Sequence, residues 1–156
     1  MQNHSLFNGL ISTALGLSAL CPTAALALGL VDYTASTTLT LSLSTSSVNQ
    51  DFGTVHIQPV NATGWELRVR STQGGALRHS SHPSTIPYTL SVDGIQVGSL
   101  ASGNDTTVLT GSTLSCLPLI GCTLAVRATI STDNVARTPA GSYSDTLVFT
   151  LVDQQL

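Results

Sequence analysis

Three histidines are the residues of this 156-residue chain best suited to bind a metal or move a proton: His79 and His82, three apart in RHSSH, and His56 within an alternating run. A metal would need three or four converging N, O or S ligands. A nucleophilic triad would need a serine held against a histidine, and no G-x-S-x-G elbow is present to hold one. The carboxylates are isolated aspartates plus Glu66, without a recognisable acid–base pair. We therefore expect no enzymatic activity, no cofactor and no metal, with the histidines as solvated loop residues. Arg68, Arg70 and Arg78 cluster in sequence, but alternation puts Arg68 and Arg70 on an outward face where arginine is ordinary. Trp65, the sole tryptophan, shares a face with Leu67 and Val69 and reads as a core anchor.

The remaining reactive residues are cysteines. Cys116 and Cys122 enclose CLPLIGC, with no other metal ligand around them. In an exported protein such a pair reads as one short-loop disulfide. It should pin a loop rather than hold the fold, because a small ring removes little unfolded-state entropy.

What must position these residues is a set of strands. Ser and Thr make up 42 of 156 residues alongside 13 Gly, a composition of strands and turns. Period-2 alternation recurs in TTLTLSLST, FGTVHIQPV, GWELRVRS, YTLSVDGIQV, TLAVRATIS and YSDTLVFTLV. Asp93-Gly94 between two such runs predicts a tight hairpin. The last run places Tyr143, Leu147, Phe149 and Leu151 on one face. No convincing helical period follows the N-terminal segment, and 72–86 and 99–106 read as the longest exposed loops. Six or seven short strands predict an all-β fold, a single antiparallel β-sandwich of immunoglobulin-like type.

The field of the chain limits its partners. Five arginines, no lysine and eight carboxylates give a net charge of −3, which excludes the basic surface a nucleic-acid binder needs. The absence of lysine also excludes a Lys–Asn isopeptide crosslink. Residues 10–30 form an uncharged apolar run with Ala25-Leu26-Ala27 near its end. This reads as a signal peptide over 1–27, leaving a sandwich domain over 28–156 without a permanent membrane span; the alternative is an uncleaved N-terminal membrane anchor. The location is then extracytoplasmic, at the cell surface or secreted, with the periplasm as a place of transit. Within 35–45, Leu39, Leu41 and Leu43 alternate with small polar residues and no charge. This is either the domain's own first strand or a donor strand for a neighbouring subunit.

Two stretches carry a family resemblance: NATGWELRVRSTQGGAL and PAGSYSDTLVFTLVDQQ. The second is similar to the last strand of spore coat protein U-like subunits and archaic chaperone–usher pilins. That resemblance implies an exported immunoglobulin-like subunit completed by a donated N-terminal strand and assembled into adhesive surface fibres. Its partners would be further copies or related subunits, with a periplasmic assembly chaperone. The same stretches resemble, more weakly, the paired motifs of WxL surface proteins. Trp65 and Leu67 would then stand in the first motif, and Tyr143, Leu147, Phe149 and Leu151 in the second. Under that resemblance the chain would be a monomeric envelope-binding module using its loops.

Overall fold

The structure is a computed structural model that describes residues 29–35, 47–61, 64–111, 114, 116–118 and 120–153. The signal segment over 1–27 and the leucines Leu39, Leu41 and Leu43 lie outside the described residues.

The described chain is built from antiparallel strands. They are β1 (Leu30–Ala35), β2 (Ser47–Gln58), β3 (Trp65–Ser71), β4 (Ala76–His79), β5 (Thr85–Val92), β6 (Ile95–Gln96), β7 (Thr106–Thr110), β8 (Cys122–Ser131), β9 (Tyr143–Ser144) and β10 (Leu147–Asp153). One short helix, α1 (Thr132–Ala136), follows β8. The larger sheet runs β1-β2-β8-β5-β4-β9, with β6 hairpinned onto β5, and the smaller runs β10-β3-β7. The fold is an all-β antiparallel sandwich, as the alternating runs predict.

Alternation decides which side chains face inward. In β3, Trp65, Leu67, Val69 and Ser71 are buried while Glu66, Arg68 and Arg70 are only half-buried. Ile86, Tyr88, Leu90 and Val92 of β5 and Leu124, Val126, Ala128 and Ile130 of β8 line the opposite inner face. These side chains form one core between the sheets. Each large aliphatic one stabilises the fold by about 1.5–3 kcal/mol relative to exposure. Asp93 (φ 50°) and Gly94 (φ 80°) make the tight turn between β5 and β6 that their sequence demands. In β2 the register against β8 shifts between Asp51 and Gly53. The Asp51 carboxylate caps this bulge by accepting the Gly53 N–H at 2.9 Å.

Three features differ from expectation. The first described strand is Leu30–Ala35, upstream of the leucine-rich run, and it pairs with β2 of its own domain. Residues 72–86 are not one loop, because Ala76–His79 forms β4 between β5 and β9. The run YSDTLVFTLV does not stay in one sheet. Tyr143–Ser144 pairs with β4 in the larger sheet, and Leu147–Asp153 pairs with β3 in the smaller one. Tyr143 is thus a member of one sheet and Leu147, Phe149 and Leu151 of the other.

Candidate functional site

The crossing between sheets is made at Asp145, and its carboxylate explains how two residues of chain can make it. Oδ2 accepts hydrogen bonds from Ser71 Oγ at 2.5 Å and from Tyr88 OH at 2.6 Å. Oδ1 accepts from Thr72 Oγ1 and the Gln73 N–H, both at 3.1 Å, and from the Thr146 N–H at 2.7 Å. Ser71 Oγ in turn accepts the Gly75 N–H at 2.8 Å. A carboxylate offers about four lone-pair directions, so five donors saturate it. Burial, reinforced by the bond to Asp145, pushes the Tyr88 hydroxyl far above its ordinary pKa. Although serine, aspartate and tyrosine meet here, Ser71 is fully buried and its proton is committed to the carboxylate. The arrangement orders backbone rather than activating a nucleophile.

The histidines also serve the backbone. His79, 7% exposed, accepts the N–H groups of Ser81 (3.0 Å) and His82 (3.1 Å) on Nδ1, so its ring proton sits on Nε2, facing the Ala140 carbonyl at 3.4 Å. Its ring meets His82 and Tyr143 edge-on, with centroids 4.9 and 4.8 Å away. The expectation of a solvated loop histidine therefore does not hold for His79: β4 carries it inward, where it caps the following turn. His56 pairs through Nδ1 with Thr123 Oγ1 at 3.1 Å. Among the described residues no three His, Cys, Asp or Glu side chains converge on a metal-sized site.

Cys116 and Cys122 are joined by a disulfide, their Cα atoms 5.4 Å apart. Leu117 and Gly121 bridge across the loop, with the Gly121 N–H donating to the Leu117 carbonyl at 2.8 Å. Gly121 has φ 78°, and a Cβ there would run into the Ile57 carbonyl and the His56 ring. Only glycine suits this position.

On the outward face of the smaller sheet, Arg68 pairs with Glu66 at 3.0 Å and Arg70 with Asp105 at 3.9 Å. The hydrogen bonds from Arg68 and Thr107 hold the Glu66 carboxyl below its usual range. Arg78 lies on β4 in the other sheet, so the three arginines do not form one patch.

What remains are the edges. Trp65 and Leu67 are buried in β3, Phe149 is buried in β10, and Leu147 and Leu151 are half-buried beside it. β10 pairs with β3 on one side, and among the described residues no strand lies on its other side. That side faces β1, the edge of the other sheet, across the sandwich. The rings of Tyr33 and Phe149 meet there, centroids 4.9 Å apart, and Tyr33 OH donates to the Phe52 carbonyl at 2.6 Å. Burial, with Asp51 nearby, raises the Tyr33 pKa. At the end of this seam Gly29 lies so close to Asp153 and Leu151 that a Cβ would collide with both. Asp153 Oδ1 and Trp65 Nε1, at paired positions of β10 and β3, are buried without a hydrogen-bond partner among the described residues.

Sequence reasoning passed over Asp145, Ser71, Tyr88 and Tyr33. The one available signal was Asp145 itself, a charge inside an otherwise apolar and hydroxylic run. Compared with known proteins, the chain matches no family model and no curated sequence.

Proposed function

We propose that this chain is an exported, non-enzymatic structural or adhesive subunit of a cell surface, joined to its neighbours by strand addition. The observation that carries the reading is the outer edge of β10. Its run LVFTLV is uncharged and rich in β-formers, and among the described residues it has a hydrogen-bonded strand partner on one side alone, β1 meeting its other side through side chains. Such an edge is a template for another strand and a hazard if left bare. Charge, proline or a bulge would blunt it, and the β10–β3 register is unbroken from Leu147 to Asp153.

The segment proposed to cover it is 36–45 of an adjoining copy, the part of the leucine-rich run that follows β1. Leu39, Leu41 and Leu43 recur at the two-residue spacing that puts side chains on one face of an added strand. β1, which ends at Ala35 just before the leucine run in sequence, lies on the same side of the sandwich as the β10 edge. A periplasmic chaperone would serve by covering the edge before assembly. The β1–β2 pairing supports a domain that keeps its own first strand while a later segment is donated.

The test replaces all three leucines by serine in the full chain and compares assembly by sedimentation and electron microscopy. Concentration-dependent fibres from the unaltered chain, lost in L39S/L41S/L43S without loss of thermal stability, support donation. A chain that stays monomeric at every concentration overturns it. So does a triple variant that assembles unchanged, or one whose monomer is itself destabilised, since the leucines would then pack within their own domain.

A further inference from the structure

Four of the large hydrophobic side chains that the fold leaves exposed are Leu30 (65% exposed), Val60 (36%), Leu117 (62%) and Ile120 (71%). Pairing brings all four to one end of the sandwich. Leu30 opens β1 opposite Gln58, Val60 follows β2 by two residues, and Ile57 is registered with Cys122 at the start of β8. Leu117 and Ile120 lie in the disulfide-closed loop that leads into Cys122. The helix α1 and the start of β2 mark the opposite end.

Two observations point to what this end meets. The disulfide and the Leu117–Gly121 bridge fix the loop in place, so exposing leucine and isoleucine there is a built feature and little ordering remains to be lost on docking. Residues 10–28 (LISTALGLSALCPTAALAL) carry no charge and run directly into Gly29, at this same end. A chain whose apolar segment enters a bilayer leaves it with Leu30, Val60, Leu117 and Ile120 facing the lipid. None of the five arginines lies in the loop, and the nearby carboxylates of Asp32 and Asp153 would repel anionic headgroups.

We infer that this end of the sandwich docks on a neutral lipid surface, with Leu117 and Ile120 entering the boundary between headgroups and acyl chains. The docking rests on residues 10–28 being retained as an uncleaved, membrane-seeking anchor, the alternative to their removal as a signal peptide, and is independent of strand addition at β10.

The test uses full-length protein with Ile120→Trp, and separately Ala136→Trp at the far end, reconstituted with phosphatidylcholine vesicles bearing brominated acyl chains. The unsubstituted chain, with Trp65 alone, supplies the baseline. Loss of the added emission by quenching for Trp at 120, and none for Trp at 136, is the expected result. Vesicle association without quenching at position 120 overturns the docking while leaving the membrane-seeking segment intact. No association with vesicles overturns both. Equal quenching at both positions also overturns it, since the domain would then lie on the lipid without a preferred end.

Discussion

Replacing Asp145 by alanine tests whether one carboxylate holds the crossing between the sheets. The variant removes the acceptor of five hydrogen bonds, and their environments decide the cost. The donors Thr72 Oγ1, Gln73 N and Thr146 N are exposed and regain water. The hydroxyls of Ser71, fully buried, and Tyr88, 9% exposed, do not. A buried donor stripped of its acceptor costs about 1–3 kcal/mol, so two of them set the loss in D145A at about 4 kcal/mol. In a domain of this size that lowers the melting temperature by roughly 12 °C. Tyr88→Phe removes one charge-assisted bond and leaves the carboxylate with four donors, a loss of about 2 kcal/mol. In D145A/Y88F the stranded tyrosine hydroxyl is gone, so the two losses add to less than their sum by about 1–2 kcal/mol. Urea unfolding followed through Trp65, the sole tryptophan and 2% exposed, reads all three variants. A D145A loss below about 1 kcal/mol, or strict additivity in the double variant, would refute the reasoning.

The alkaline limb of stability depends on Tyr33 and Tyr88, whose folded pKa values are both raised. Below about pH 10 both are protonated in either state and the stabilisation is complete; above it the unfolded chain ionises first, and stability falls by about 1.4 kcal/mol per pH unit for each tyrosine. Denaturant titrations at stepped pH should show this decline, with Y88F making its slope shallower. Removing the disulfide with C116S/C122S should lower stability by roughly 2 kcal/mol, the value for a ring this small, and leave the circular dichroism unchanged. Loss of the β spectrum would instead make the loop essential to the fold. Gly141→Ala would drive its Cβ into the ring of His79, which two backbone N–H bonds hold in place. The expected loss is about 2 kcal/mol, with earlier amide exchange at Ser80, whose N–H donates to the Ser142 carbonyl at 3.0 Å.

How much of this was legible in the sequence depends on whether each strand's burial is one-sided. β3, β5 and β8 have one inner and one outer face, and their alternation names the core residue by residue. Asp93-Gly94 is equally readable, because its positive φ values restrict residue choice. β4 is not: its four residues include Arg78 and His79 and are flanked by Gly74, Gly75 and serines, a composition that reads as loop. Its inward His79 contradicts hydrophobic patterning, because the imidazole replaces apolar packing with two backbone hydrogen bonds. The five-residue α1 is too short to show a period. Alternation also keeps its phase through YSDTLVFTLV, interrupted only by the charge of Asp145 where the chain changes sheets, since stepping between sheets need not alter which side chains point inward.

That change of sheet is what makes the proposed edge available. Had the chain continued from β9 within the larger sheet, Leu147–Asp153 would have extended an edge already begun at Ser144. Instead Asp145 turns it onto β3, where Phe149 seals the core and the outer backbone of β10 faces the seam with β1. The saturated carboxylate fixes the start of β10 without using its outer N–H and C=O groups. An arriving strand would therefore meet an edge already held in register, and would lose little free energy in ordering it. The same carboxylate that stabilises the isolated domain would then also hold the edge proposed for strand addition in register.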